Sequence, residues 1–345
     1  MTEKVAALFG LKAPALAKYT AKVPAVCSNP NLIMGMEIET ENCKLSGGFY
    51  EGVIQRLSWR TTTDGSLRGN AFEFISNPME MQHLIPSLHE FFTVTGFTEE
   101  NYTDRCSIHV HVNCTDLSVD QLSAIALVYS IFEESMFDFV GNYRDTNIYC
   151  IPWNQCRFNT KLITNMQRHL LAVPKGWQKY TAVNLIPLQT LGTLEFRHMH
   201  GTADIQKITQ WLNMVGCLFQ YATVVPFKEV FGMISSINNV SNYEQFFHQV
   251  FGQYWQYSEE IHQKLESGVM CAKFALNGYD PLVVTPQPTV KKKSLEEANP
   301  LESRRREVVD EYTTDFLRTL PPILPTYFTQ ENLRPVLLTP EEETF

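Results

Sequence analysis

The 345-residue sequence predicts an α+β chain, with several strands sharing one sheet and amphipathic helices packed against it. Two observations lead there. Four short segments alternate apolar with ionisable residues at the period of two that marks a strand buried on one face. Between and after them run longer segments whose apolar residues recur at helical spacing.

Residues 1–30 read as an N-terminal extension that closes at the turn signal Ser28-Asn29-Pro30. From Leu32 to Asn113 the pattern is strand-like, interrupted by one helix from Met79 to Phe92. Pro86 lies inside that helix and should kink or split it. Ser118-Val119-Asp120-Gln121 fits a capping box at the head of a long helix. The apolar stripe of that helix is Leu122, Ile125, Tyr129, Phe132, Met136 and Val140.

Gly141 to Gly176 is polar, aromatic and irregular, with a helix expected near Leu162–Leu171. Strands return at Thr181–Leu188 and Gly192–Met199. A second long helix follows Gly201-Thr202, and a third, rich in aromatics, spans Tyr243 to Leu265. The main domain therefore covers residues 31–283. Beyond it, residues 284–345 read as a linker carrying Lys291-Lys292-Lys293, a helix over Leu301–Leu320 that includes Arg304–Arg306, and a Pro-rich acidic tail. The two basic runs are short and read as solvated surface. No internal repeat stands out.

Composition narrows the function classes. An apolar share of 44% and a charged share of 19% are those of an ordinary globular protein. A net charge of -9 argues against non-specific binding to nucleic acid or anionic membranes. The eight cysteines are scattered and form no C-x-x-C pair, which suits reduced thiols and not a zinc site. No segment approaches the length of a membrane span, and the N-terminus lacks a signal-peptide core. A cytoplasmic protein is the expectation.

The four alternating segments share a peculiarity. Met34–Glu41 sets Met34, Met36 and Ile38 against Glu37, Glu39 and Glu41. Ala71–Ser76 sets Phe72 and Phe74 against Glu73 and Ile75. Ser107–Asn113 sets Ile108, Val110 and Val112 against His109 and His111. Gly192–Met199 sets Leu194 and Phe196 against Glu195 and Arg197. A merely solvated face would favour Thr, Ser and Lys, and Lys is absent from all four segments. Like carboxylates on one face repel unless cations sit among them. Glutamate oxygens are hard ligands suited to Mg²⁺ or Mn²⁺. Glu37 and Glu39, about 7 Å apart along a strand, could flank one ion or serve two.

Two loops add candidates. Asp64, in Thr63-Asp64-Gly65-Ser66, could reach the cluster or simply close an Asx turn. Arg144 could grip a substrate carboxylate bidentately, or be an ordinary surface residue. Phosphate-loop, dinucleotide-fold and nucleophile-elbow motifs are missing from the sequence.

Four segments in order resemble the amidoligase family of the glutamine synthetase and glutamate–cysteine ligase superfamily. They are Gly35-Met36-Glu37-Ile38-Glu39; Asp64-Gly65-Ser66-Leu67 with Phe72 to Pro78; His109-Val110-His111-Val112-Asn113; and Gly192 to Arg197 followed by Gly201-Thr202. The resemblance covers roughly residues 33 to 215. It implies a curved antiparallel sheet with helices on its outer face and the active site on its concave face. It also implies ATP-dependent ligation of a carboxylate to an amine through an acyl phosphate, with ATP and Mg²⁺ or Mn²⁺ as cofactors. Position by position, it places Glu37, Glu39 and Glu195 at metal, and His109 and His111 near metal and phosphate. Arg197 falls at phosphoryl transfer and Glu73 in the same acidic cluster, with Asp64 beside them as a catalytic candidate.

The implied partners are small-molecule or peptide carboxylates and amines. The C-terminal tail is a candidate contact for a protein partner or a second copy. Two other readings stay open at this point: a metal-dependent hydrolase using the His-x-His pair, and a non-catalytic protein on the same fold.

Overall fold

Alternation along residues 33–40 buries Met34, Met36 and Ile38 on one side of the first strand and leaves Glu37 and Glu39 on the other. The same division repeats across a sheet whose paired strands run antiparallel. The computed structural model that shows this describes residues 3–141, 144–153, 166, 169–255 and 266–270.

The strands are β1 (Ile33–Thr40), β2 (Trp59–Thr62), β3 (Phe72–Ser76), β4 (Met79–Glu80), β5 (Ser107–Asn113), β6 (Val183–Asn184) and β7 (Thr193–His200). Their spatial order is β2-β3-β1-β5-β7-β6, with β4 pairing the start of β1. The helices are α1 (Val5–Phe9), α2 (Gly47–Ile54), α3 (Met81–Thr95), α4 (Val119–Val140), α5 (Ile205–Val224), α6 (Phe227–Ser235) and α7 (Val240–Phe251). The expected α+β architecture with an open antiparallel sheet is what the chain adopts.

The apolar side of the sheet meets α3 and α4, and α5 packs beyond α4. Because it has neighbours on both sides, α4 is buried around most of its circumference, including Tyr129, Phe132 and Phe137. Its capping box forms as expected. Gln121 N donates to Ser118 Oγ at 3.2 Å, and Ser118 N donates to Gln121 Oε1 at 3.0 Å. A second aromatic group joins Phe132 to Phe246, Phe247 and Phe251 of α7.

Several expectations need correction. The helix containing Pro86 starts after a two-residue strand and runs unbroken from Met81 to Thr95. Pro86 cannot donate to the carbonyl of Gln82, one turn back. That carbonyl instead accepts the N–H of Ala25 at 2.9 Å, so the N-terminal segment satisfies the group the proline leaves free. This segment is tied down elsewhere too. Val5 is fully buried, and Ser28 Oγ donates to the backbone of Asn213 on α5 at 2.8 Å.

The strand expected over Thr181–Leu188 is only β6, followed by a short 3₁₀ turn at Ile186–Gln189 that begins before Pro187. Helices α2 and α6 were not anticipated; both are short, and Gly47 and Gly48 disguise α2. The third long helix ends at Phe251 and passes into a 3₁₀ turn at Gly252–Tyr254. The helix expected near 162–171 falls largely outside the described residues, as do the linker, helix and tail of 284–345. Among the described residues, no helix is long and apolar enough to cross a membrane.

Candidate active site

The strand register builds three rungs across the ionisable face. Glu73 of β3 stands opposite Glu39 of β1. Glu37 of β1 stands opposite His109 of β5. His111 of β5 stands opposite Glu195 of β7, which in turn stands opposite Asn184 of β6. These rungs floor a cavity of about 790 Å³. All nine candidates from the sequence line it: Glu37, Glu39, Asp64, Glu73, His109, His111, Arg144, Glu195 and Arg197.

The side chains divide into two groups of potential ligand atoms. Glu37, His111 and Glu195 form one, and Glu39, Asp64 and Glu73 the other. Within each group the atoms lie within 4.8 Å of one another. Adjacent glutamates of β1 therefore serve different groups. Asp64 and Glu73, expected as catalytic candidates, fall together with Glu39 in one group of carboxylate ligand donors. Asp64 also closes the Asx turn, accepting from Ser66 N at 2.6 Å.

Hydrogen bonds hold these groups in place. Glu39 Oε2 accepts from Ser107 N at 2.8 Å and Ser107 Oγ at 2.6 Å. His109 has both ring nitrogens engaged, with Nδ1 at 3.2 Å from Glu37 and Nε2 at 2.8 Å from Ser107 Oγ. His111 differs. Its Nδ1 is 3.0 Å from Thr193 Oγ1, while Nε2 is buried, 3.3 Å from Glu37 Oε1, and makes no hydrogen bond. A histidine anchored through Nδ1, with Nε2 turned toward the carboxylates of Glu37 and Glu195, suits a metal ligand.

The electrostatics point the same way. Burial pushes the Glu73 carboxyl up to about 8, reinforced by the charges of Glu37, Glu39, Asp64 and Glu195. Burial would also raise Glu37, but His109 and His111 outweigh it and hold the carboxyl well below its usual range. For Glu195 the burial penalty is likewise outweighed, here by His109, Arg197 and His111. His111 is raised, since Glu37 and Glu195 outweigh the burial that would lower it. So much negative charge on one buried face, gathered into two groups of ligand atoms, fits one or two hard divalent cations.

Across β5 and β7 the pairing is irregular. Ile108 stands opposite Met199 and Val110 opposite Phe196, so Arg197 and His198 together face the single His109. Alternation from Glu195 sends Arg197 toward the cavity and His198 into the helix layer, where Nε2 meets Tyr129 Oη at 2.9 Å, and the bulge then returns Met199 to the buried side opposite Ile108. Arg144 fixes the bulge. Its Nε donates to His198 O and its Nη2 to Arg197 O, both at 2.9 Å. The substrate-carboxylate grip expected of Arg144 does not match this geometry, because two of its three nitrogens are spent on backbone. Arg197 is itself held by Glu195 and by Tyr149 O, the latter at 3.2 Å.

Residues 61–217 match the family model described as "putative amidoligase enzyme". That segment is similar to the amidoligase family. A search of curated proteins gave no match. The amidoligase match includes β3, β5, β6 and β7, with Asp64, Glu73, His109, His111, Arg144, Glu195 and Arg197. It begins after β1, so Glu37 and Glu39 join the matched residues through sheet pairing and lie outside the matched span.

Sequence reasoning missed several residues at this site. Ser107 shares the alternation of His109 and His111, and could have been read from it. Asn184, which donates to Glu195 Oε2 at 2.7 Å, sits in a strand too short to show a period. Arg68, Arg105, Lys179 and the Tyr149–Tyr180 ring pair line the cavity from loops that carry no periodic signal.

Proposed function

We propose that this chain is an ATP-dependent carboxylate–amine ligase. The observation that carries the reading is the pair of adjacent ligand groups on one sheet face, with Arg197 beside them. Glu37, Glu195 and His111 would hold one divalent cation, and Glu39, Asp64 and Glu73 a second. Mg²⁺ or Mn²⁺ there would neutralise phosphate oxygens during transfer. ATP would donate its terminal phosphoryl group to the acid substrate, and an amine would then displace phosphate from the acyl carbon.

The chain's own residues have definable tasks. Arg197, fixed by Glu195 and Tyr149, presents its remaining guanidinium nitrogen where charge accumulates on the transferred group. His109 spaces Glu37 from Ser107 and Glu39, keeping the two carboxylates aimed at different ions. Arg144 sets the backbone that carries Arg197. The hydrolase alternative loses support because His109 has no free ring nitrogen to join His111 at a shared ion.

The test is thermal stability with Mg²⁺, ATP and both, in wild type and in Glu37→Gln/Glu39→Gln. A ligand that binds only the native state raises the melting temperature. The expected result is a shift that needs both ligands and is lost in the double variant. A shift with metal alone, indifferent to ATP, would overturn the ligase reading.

A further inference from the structure

One corner of the cavity, outside both ligand groups, carries Arg68 and Arg105, with Asp104 beside them. It is organised by Glu41, a side chain only 2% exposed. Glu41 Oε1 accepts from Arg68 N at 2.6 Å and Arg105 Nε at 2.9 Å. Its Oε2 accepts from Thr103 Oγ1 at 2.8 Å and Arg105 Nη2 at 2.6 Å. One buried carboxylate thus ties the loop around Asp64 to the turn before β5. Arg68 is also pinned from within its loop, with Nη1 donating to the carbonyls of Gly65, Ser66 and Leu67 at 3.1–3.3 Å.

Both arginines line the cavity. Arg105 Nη1 and Arg68 Nε and Nη2 have no hydrogen-bond partner among the described residues. Glu41 offsets one of the two positive charges, and Asp104 is a second carboxylate near Arg105, so an anion held there depends on the directed guanidinium donors and not on a surplus of charge. An ordinary surface ion pair is solvated on both sides and contributes little. Here the carboxylate is buried and fully engaged, and its bonds fix Arg105 through Nε and Nη2 and the Arg68 loop through the backbone N–H, while the Arg105 side chain stays half exposed. Donors fixed in advance lose little freedom on binding, and planar guanidinium groups match oxyanions.

We propose that Arg68 and Arg105 form an anion subsite at the cavity edge, which takes a carboxylate or phosphate group of a bound ligand, and that Glu41 positions both. The subsite stands on its own geometry. It rests on the ligase reading only for which ligand carries the anion: the acid substrate's second carboxylate or the nucleotide's phosphates.

The experiment is equilibrium titration of the full chain in Mg²⁺ with ATP, with adenosine and with glutarate. Wild type is compared with Arg68→Gln, Arg105→Gln and Glu41→Gln, and Mn²⁺ binding serves as the control for an intact fold and site. Loss of a charge-assisted hydrogen bond should weaken the anion by about tenfold in each variant. Glu41→Gln should follow although its side chain does not line the cavity. Mn²⁺ binding should hold.

Weakened glutarate with unchanged ATP assigns the subsite to the substrate carboxylate. Weakened ATP with unchanged adenosine assigns it to phosphate. Wild type that binds glutarate but not ATP, with glutarate weakened in Arg105→Gln, would sink the ligase reading and keep the subsite. If Arg105→Gln fails to fold, Arg105→Lys keeps the charge without the fork and should give an intermediate loss. Anion affinities unchanged in all variants, or no anion bound by a wild type that binds Mn²⁺, would overturn the subsite.

Discussion

Glu73 and His198 lie on opposite sides of the sheet and show what burial does to opposite kinds of group. Glu73 is surrounded by carboxylates and resists ionisation. A cation among them would reverse that, so Glu73→Gln should remove one of two Mn²⁺ equivalents in a binding titration and leave the other.

His198 is buried among Phe137, Phe196 and Trp211, and burial pushes its imidazole down from 6.5 to about 3. A base whose folded pKa is depressed contributes stability above its unfolded value, and that contribution is lost as pH falls through the folded one. Wild type should therefore lose stability between about pH 6.5 and pH 3 more steeply than His198→Gln. Melting curves across that range check it. Equal slopes in the two proteins would show that His198 is already charged or solvated in the fold.

At the scale of elements, legibility followed period. The alternation of β1, β5 and β7 was long enough to assign both faces, and the cavity floor follows from it directly. Loops and short elements gave no such signal. Arg144 illustrates the limit: sequence marks a polar loop, while only the β7 bulge reveals carbonyls for it to bind. Pro86 is another case. Its effect depends on a distant N–H at Ala25, and local propensity contains no trace of that partner. Caps, by contrast, are local and were readable. Ser118→Ala should cost about 1 kcal/mol by removing the capping box of α4. Chemical denaturation would register this as a lower midpoint with an unchanged slope.

For the molecule as a whole, residues 3–30 are part of the body and not an appendage in the energetic sense. Val5 inserts into the core, Ala25 completes α3, and Ser28 ties to α5. Removing residues 1–26 should lower the melting temperature by about 10 °C or more, since several buried contacts go at once. Circular dichroism of the shortened chain would decide; an unchanged transition would mean these contacts add nothing to stability. Arg144, His198, Tyr129 and Glu133 connect the cavity to the helix layer in the same physical way, through bonds between sheet backbone and buried side chains. Tyr129 Oη donates to Glu133 at 2.6 Å, and Glu133 also accepts from Trp153 N at 2.6 Å.

The bulge in β7 can be described as a counting problem. Remove His198 alone and every remaining pair, from Ser107 with His200 to His111 with Glu195, could be kept in an uninterrupted ladder. Hydrogen bonding of the sheet therefore gives no reason for this strand to be one residue longer than its neighbour requires. The surplus residue is accounted for by what it joins, Tyr129 and the Phe137–Trp211 rings on one side and Arg144 on the other. A single-codon deletion there should yield a protein that still folds as a sheet but no longer couples its helix layer to Arg197.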